Sequence, residues 1–215
     1  YIADQEKVGV EEVYAIPLRG GTPVRLNPPL VEGGDVYNLR ISPDSSRIVY
    51  IARQETTSYA ALYSVSPSGE NVVNISGVPP AGVGVMQYRI SPDNKWVIFN
   101  YEGEKFHEFG LMSTPIDRNE PVSLLPPSLA ASYVGGYLFT PDFQQIVYRT
   151  EENGENKAAL YRVPVHGGTS VTLSVPLSSS AFIPYHRLSL DGTRVIYGVR
   201  SGPTMQVYSA PLSGG

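Results

Sequence analysis

A ten-residue segment recurs four times along the chain at a constant spacing. It reads ISPDSSRIVY from Ile41, ISPDNKWVIF from Ile90, FTPDFQQIVY from Phe139 and LSLDGTRVIY from Leu188. Successive start positions differ by 49 residues each time (90 − 41, 139 − 90, 188 − 139). A constant period of this size indicates a repeat architecture whose units share one continuous core. The sequence therefore predicts a single domain over residues 1–215.

Each repeat has the pattern of four antiparallel strands. The runs RIVY, WVIF, QIVY and RVIY carry apolar side chains at successive positions, which indicates strands covered on both faces. A strand precedes each Ser-Pro-Asp turn, and third and fourth strands such as ALYSV and VVNIS follow it. The 21 Gly and 19 Pro suit short strands punctuated by turns. Four-stranded repeats with buried inner strands predict an all-β fold, the β-propeller, with each repeat forming one blade.

The 49-residue period divides the chain into five blade units, 1–30, 31–79, 80–128, 129–177 and 178–215. The first unit lacks its inner strand and the last lacks its outer strand, so that 18 strands are expected. The two ends duplicate rather than complement each other, and we therefore expect a fragment of a larger propeller with six or more blades. The fragment would be an arc, a ring of five units with two incomplete blades, or one part of an assembly. Incomplete terminal blades leave unpaired strand edges, which favours self-association with another copy of the chain.

The repeat resembles that of the TolB-like propellers, a WD-repeat-like family. The residues that carry the resemblance are Ser42-Pro43-Asp44 and its three equivalents, Leu62-Tyr63 and Leu160-Tyr161 in the third strand, and GGTPVRL and GGTSVTL in the outer turn and strand. The Gly-His and Trp-Asp pairs of ordinary WD repeats do not occur. The resemblance implies a propeller that engages a partner at its channel mouth, and a place in the periplasm or outside the cell.

Charge and composition restrict the classes of partner. The net charge is 16 − 20 = −4, and no Lys/Arg cluster has the density that nucleic acid binding requires. No stretch is long and apolar enough for membrane insertion by a helix. The absence of cysteine removes disulfide and thiolate chemistry and leaves the compartment open.

Catalytic and cofactor motifs are also missing from the sequence. There is no G-x-S-x-G, no H-E-x-x-H, no phosphate-binding glycine loop and no dinucleotide fingerprint. His107, His166 and His186 fall at different positions of their blades, which does not favour a three-ligand metal site. Asp44, Asp93, Asp142 and Asp191 recur in the turns, where an Asp side chain bonds the backbone two residues on. No cofactor and no metal site are predicted.

The inner strands carry the best candidate site. One repeat position is occupied by Arg40, Arg89, Leu138 and Arg187, and the preceding position by Leu39, Tyr88, Tyr137 and His186. Guanidinium groups facing a common channel would attract a carboxylate or a phosphate. The candidate ligand-binding residues are Arg40, Arg89, Arg187, Tyr88, Tyr137 and His186. Alternatively, each Arg pairs with an aspartate of a nearby turn or blade. Further aromatic and apolar residues are expected at or just inside the channel mouth, where they would suit contact with a peptide or protein: Tyr37, Met86, Tyr133 and Tyr185. Alternatively, these residues are buried between blades.

Three hypotheses follow for the function. The first is a non-enzymatic binding propeller that engages a protein, a peptide or a small anionic ligand at the channel mouth. The second is the propeller of a serine peptidase resembling the prolyl oligopeptidases, with its hydrolase domain outside this chain. The third is a propeller lyase that uses channel histidines and a metal.

Overall fold

The structure is a computed structural model and describes residues 1–78, 84–102, 109–129, 133–151 and 158–214. Within these ranges the chain consists of β-strands, turns and one short 3-10 helix at Pro127–Leu129, with no α-helix. The predicted all-β class is confirmed. No helix in the described part of the chain has the length and apolar character needed to cross a membrane.

The chain divides into two compact units. Unit 1 comprises Tyr1–Glu104 and Thr114–Pro121, and unit 2 comprises Lys105–Ser113 and Val122–Gly215. The single domain and the five blade boundaries remain predictions.

The strands form five antiparallel sheets in chain order. The first contains β1 (Ile2–Ala3), β2 (Glu12–Ala15) and β3 (Val24–Arg25). The second contains β4 (Val36–Ile41), β5 (Ile48–Ala52), β6 (Ala61–Val65) and β7 (Val73–Asn74). The third contains β8 (Gly84–Ile90), β9 (Trp96–Glu102), β10 (Phe109–Pro115) and β11 (Val122–Ser123). The fourth contains β12 (Val134–Phe139), β13 (Gln145–Thr150), β14 (Ala159–Pro164) and β15 (Val171–Thr172). The fifth contains β16 (Ala181–Phe182), β17 (His186–Leu188), β18 (Arg194–Ser201) and β19 (Thr204–Pro211).

The first and last sheets are incomplete in the way that the repeat predicts. The first sheet contains no inner strand beside β1, and the described residues contain no outer strand beyond β19. The inner strand of the fifth sheet is divided, because β16 and β17 both pair with β18 and are separated by Ile183, Pro184 and Tyr185. Proline has no N–H to donate to the ladder. This division gives 19 described strands where the sequence predicted 18.

The Ser-Pro-Asp turns share one set of hydrogen bonds. In the first of them the Ser42 hydroxyl donates to Asp44 Oδ1 at 2.7 Å, and the backbone N–H of Ser46 donates to the same oxygen at 3.0 Å. The Arg47 N–H then donates to Ser42 Oγ at 2.9 Å, which starts the next strand. Equivalent bonds form around Asp93, Asp142 and Asp191. The predicted turn role of these aspartates is confirmed.

Each sheet has two different apolar faces. In the second sheet one face carries the stacked rings of Tyr50 and Tyr63, whose centroids are 5.4 Å apart, together with Val65. We call this the tyrosine face. The opposite face carries Val49 and Leu62, and we call it the aliphatic face; both of its residues are fully buried. Stacked tyrosine pairs recur in three further sheets: Tyr1 with Tyr14, Tyr148 with Tyr161, and Tyr197 with Tyr208.

The core within each unit joins an aliphatic face to the tyrosine face of the next sheet. In unit 1, Val13 and Leu26 of the first sheet cluster with Tyr50 and Tyr63 of the second. In unit 2, Val147 and Leu160 of the fourth sheet cluster with Tyr197 of the fifth, and Tyr208 packs against this cluster. Burial of each such aliphatic side chain contributes about 1.5–3 kcal/mol.

Backbone hydrogen bonds also join successive sheets of unit 1. The Val36 N–H donates to the Glu11 carbonyl at 3.2 Å, and one repeat later the Val85 N–H donates to the Ala60 carbonyl at 2.8 Å. The first bond joins the start of β4 to the residue before β2, and the second joins the start of β8 to the residue before β6. They fix the position of the inner strands β4 and β8.

Candidate functional site

The inner strands of unit 1 contain a β-bulge at the same repeat position. The pairing of β4 with β5 shifts between Val36 and Asn38, and that of β8 with β9 shifts between Val85 and Gln87. The bulged residues are therefore Tyr37 and Met86, and both side chains are exposed. Because a bulge moves the following side chains to the other face of the strand, it decides which residues beyond it point to solvent. Those residues are Asn38, Arg40, Gln87 and Arg89.

Arg40 and Arg89 line a common pocket. Its volume is about 380 Å³, and its other lining residues are Ile41, Pro43 and Ile90. Both arginines are exposed at its surface. The Arg40 guanidinium carbon lies 5.8 Å from the centroid of the Tyr88 ring, within the range of a cation–π contact. The structure thus brings together two of the three arginines that the sequence singled out.

Tyr88, whose ring lies under the Arg40 guanidinium, is buried. Its hydroxyl donates a hydrogen bond of 2.6 Å to the carbonyl of Val49 in the second sheet. Burial raises the pKa of the Tyr88 phenol, which keeps it protonated and able to donate this bond. Tyr88 therefore ties the third sheet to the second and supports Arg40 from below.

The three remaining candidates lie in unit 2. Tyr137 and His186 are buried, whereas Arg187 is exposed and its guanidinium donates to the carbonyl of His186 at 2.9 Å. The third position of the series is occupied by Leu138, which carries no charge. Arg187 therefore has no second arginine at the equivalent place in the inner strand of the preceding sheet.

His186 occupies the same repeat position as Tyr88 and makes an equivalent contact. Its ring is hydrogen-bonded to the backbone of Val147, which lies two repeat periods after Val49. Burial, together with the smaller effect of the nearby charges of Arg149 and Arg187, lowers the pKa of the imidazole to about 4. The ring is therefore neutral at pH 7. Its Nε2 atom is buried without a hydrogen-bond partner in the described structure.

Arg149 is a structural residue that the sequence analysis missed. Its guanidinium donates to the carbonyl of Gly135 at 2.8 Å and to the carbonyl of Pro184. The pairing of β12 with β13 also shifts, between Val134 and Gly136. The bonds of Arg149 connect this bulge to the interruption between β16 and β17. The sequence signal is that Arg149 directly follows the apolar run Ile146-Val147-Tyr148. A charged side chain at such a place needs hydrogen-bond acceptors nearby.

The residues expected at the mouth are all exposed, and two of them have ring contacts. The Tyr37 ring lies 5.7 Å from the Arg53 guanidinium, and the Tyr133 ring meets Phe109 edge to face at 5.1 Å. Met86 and Tyr185 are exposed as well. These contacts hold Tyr37 and Tyr133 in place while leaving part of each ring accessible.

Metal-ligating side chains do not converge in the described ranges, which contain no group of three His, Cys, Asp or Glu able to hold an ion. His166 lies exposed in a turn and His186 in the core. His107, the remaining member of the metal hypothesis, lies outside the described residues.

Comparisons with known proteins establish the fold. No family model and no curated protein matches the sequence. Among solved structures, the chain is similar to a TolB from Agrobacterium tumefaciens, with 18% identity over 98% of this chain and 73% of that one, at a TM-score of 0.53. It is also similar to an oligogalacturonate lyase from Vibrio parahaemolyticus, with 16% identity, 99% and 58% coverage and a TM-score of 0.58. A puromycin-hydrolysing peptidase from Mycobacterium tuberculosis shows 12% identity, 98% and 36% coverage and a TM-score of 0.59.

These similar structures are a TolB, a lyase and a peptidase, and what they share with this chain is the fold. The chain is an all-β protein with the β-propeller fold, as the repeat predicted. Its fold is TolB-like, as the Ser-Pro-Asp and Leu-Tyr residues indicated. The chain spans from about a third to about three quarters of the length of these structures.

Proposed function

We propose that this propeller is a non-enzymatic binding domain that holds a carboxylate of a peptide or protein ligand between Arg40 and Arg89. The observation that carries the proposal is that Arg40 and Arg89 line one pocket, although they belong to different sheets. Arginine presents a planar fork of N–H donors that matches the two oxygens of a carboxylate. The ring of Tyr88 below Arg40 restricts the orientation of that guanidinium group and so favours binding.

The neighbouring exposed residues suit a peptide better than a bare anion. Asn38 and Gln87 follow the bulges and offer amide groups to a peptide backbone, while Tyr37 and Met86 offer apolar surface. A polypeptide with a free or side-chain carboxylate therefore matches the chemistry of this surface. A location in the periplasm or outside the cell is part of the proposal and is supported by the resemblance to TolB-like repeats.

The proposal is tested with a fluorescently labelled hexaglutamate peptide at low ionic strength. Replacing Arg40 and Arg89 together by alanine is expected to weaken binding by at least about tenfold, since charge-assisted hydrogen bonds contribute about 1.5–3 kcal/mol each. The control variant replaces the exposed Arg19 and Arg118 by alanine and changes the net charge equally. Equal weakening in both variants would indicate nonspecific charge attraction and would contradict the proposal.

A second candidate function is the propeller of a peptidase. It is favoured by the similarity to the puromycin-hydrolysing peptidase, of which this chain covers 36%. In that case the arginine pocket would select substrates for a hydrolase domain outside this chain. Sequencing the transcript that encodes the chain distinguishes the two functions, because the peptidase requires a G-x-S-x-G motif in the same polypeptide.

A further inference from the structure

A cleft in unit 2 is lined by five residues that carry hydroxyl groups. Its volume is about 690 Å³, which lies in the range of small-molecule sites. The five residues are Ser128, Tyr161, Thr169, Ser170 and Thr172. We call this the hydroxyl cleft. Its other lining residues among those the structure describes are glycine, leucine and proline, so that no described residue of its wall carries a charge.

Four of the five hydroxyls have no hydrogen-bond partner within the described ranges of the chain. The exception is Ser170, whose Oγ lies 3.3 Å from the Tyr148 hydroxyl. Each hydroxyl supplies one donor and two acceptor lone pairs. Burial raises the pKa of the Tyr161 phenol, which is therefore protonated and neutral at pH 7. The hydroxyl cleft thus offers several uncharged donors and acceptors to a ligand.

Tyr161 also gives the cleft an aromatic surface. One side of its ring stacks on Tyr148, with centroids 5.4 Å apart and ring planes at 23°. Tyr161 itself is half-buried and lines the cleft. The residue at the equivalent position of the second sheet, Tyr63, is only 2% exposed. The fourth sheet therefore leaves accessible a tyrosine that the second sheet buries.

The repeat shows which substitution accompanies this difference. The segment VSLLPPS at 122–128 lies two periods after VRLNPPL at 24–30. Leu30, the last residue of the earlier segment, packs against the apolar cluster that contains Tyr50 and Tyr63. The equivalent residue of the later segment is Ser128, which is exposed and lines the cleft. A small polar residue thus stands where the second sheet has an apolar cover.

We propose that the hydroxyl cleft binds a neutral sugar. A sugar ring carries several hydroxyls that both donate and accept, and its C–H surface packs on an aromatic ring such as that of Tyr161. A charged ligand would lose its hydration without meeting an opposite charge among the described lining residues, and a purely apolar ligand would leave the hydroxyls of the cleft unpaired. The cleft shares no lining residue with the arginine pocket, so the two sites bind independently.

Binding is measured by NMR titration of the full chain with three neutral trisaccharides: maltotriose, cellotriose and tri-N-acetylchitotriose. At least one of them is expected to bind and to shift the amide signals of residues 168–172. The affinity should be the same at low and high salt, because neither the sugar nor the described wall of the cleft is charged. A failure of all three to bind, or equal shifts with an acetylated and amidated tetraproline peptide, would overturn the proposal.

Two variants assign the binding to this cleft. Ser128→Leu introduces the residue found at position 30 and is expected to weaken sugar binding at least about tenfold, because the leucine side chain fills the cleft. Thr172→Val removes one hydroxyl without changing the shape and should weaken binding about fivefold. The control is Ser179→Leu at an exposed turn of the same unit, which should bind sugar like the wild type.

The hexaglutamate peptide separates this site from the arginine pocket. Ser128→Leu is expected to bind that peptide as the wild type does, whereas its sugar binding is weakened. Unchanged sugar binding in Ser128→Leu, or equal weakening in Ser179→Leu, would contradict a sugar site in the hydroxyl cleft.

Discussion

One residue in each Ser-Pro-Asp turn adopts a left-handed backbone conformation. The residues after the turn aspartates have φ values of 61° at Ser45, 63° at Asn94, 58° at Phe143 and 66° at Gly192. Only glycine adopts this conformation without a steric penalty from Cβ. Three of the four turns therefore retain a residue that is less stable there than glycine.

Replacing the exposed Ser45 by glycine is expected to stabilise the protein by about 0.5–1 kcal/mol, after allowance for the greater freedom of glycine in the unfolded chain. The reverse change, Gly192→Ala, should destabilise it, because a Cβ at Gly192 would lie 2.7 Å from Pro141 Cγ in addition to the backbone strain. Denaturant unfolding curves of the two variants measure both effects. A loss of stability in Ser45→Gly would refute the strain argument.

His186 gives the fold a defined dependence on pH. The folded imidazole has a pKa of about 4, whereas an unfolded histidine titrates near 6.5. The unfolded state therefore binds more protons between these values, and the free energy of unfolding falls as the pH is lowered through this window, by up to about 3 kcal/mol. Hydrogen bonds in the turns lower the pKa values of Asp44, Asp142 and Asp191. The stability that these carboxylates contribute is therefore lost only at more acidic pH.

The variant His186→Tyr introduces the residue found at the equivalent positions 88 and 137. It is expected to keep the fold and to remove most of the stability change between pH 6.5 and pH 4. Urea titrations at several pH values in this range test the expectation, with His166→Gln at an exposed turn as the control. An unchanged slope in His186→Tyr would show that other groups control the acid sensitivity.

At the scale of elements, the inner strands β4 and β8 depend on close backbone approach. A Cβ at Gly84 would lie 2.2 Å from the Ala60 carbonyl oxygen, beside the hydrogen bond from the Val85 N–H to that oxygen. Gly84→Ala is expected to lower the free energy of unfolding by about 3 kcal/mol or more, since backbone at both sides must move.

The matched control for Gly84→Ala is Gly202→Ala in the hairpin between β18 and β19. Gly202 also has a positive φ of 57°, but open space surrounds its Cβ position. Its cost should therefore be near 1 kcal/mol, the strain of the backbone alone. Hydrogen exchange of the Val85 amide provides a second measurement, because only Gly84→Ala should accelerate it. Equal costs in the two variants would contradict the importance of the contact with Ala60.

The same strands show why the sequence predicted the site only in part. The sequence analysis selected two adjacent positions, 39 and 40 in the first full repeat, although alternate residues of a strand point to opposite faces. The bulges at Tyr37 and Met86 decide which position is exposed, and no residue type there signals a bulge. Arg40 and Arg89 are consequently exposed, and Tyr88 is buried one residue earlier.

At the scale of the whole molecule, the 49-residue period predicted the number and order of the sheets. The apolar runs of the second strands and the Ser-Pro-Asp turns are local signals, and the strands and hydrogen bonds follow them closely. The sequence did not predict the division of the last inner strand at Pro184. A proline is tolerated at the start of a strand in many sheets, so its presence alone does not indicate a break. The long-range bonds of Arg149 to Gly135 and Pro184 were equally inaccessible, since they join residues far apart in sequence.

The pairing of an aliphatic face with a tyrosine face has a consequence for how such a chain can change its length. Because the sheets that pack together inside each unit pair one kind of surface with the other, we expect removal of a complete 49-residue unit to join an aliphatic face to a tyrosine face again. Deletion of residues 80–128 would place Val49 and Leu62 opposite Tyr148 and Tyr161 without any compensating substitution. Genes of this type can therefore gain or lose whole units by duplication and deletion, and each intermediate retains a matched core.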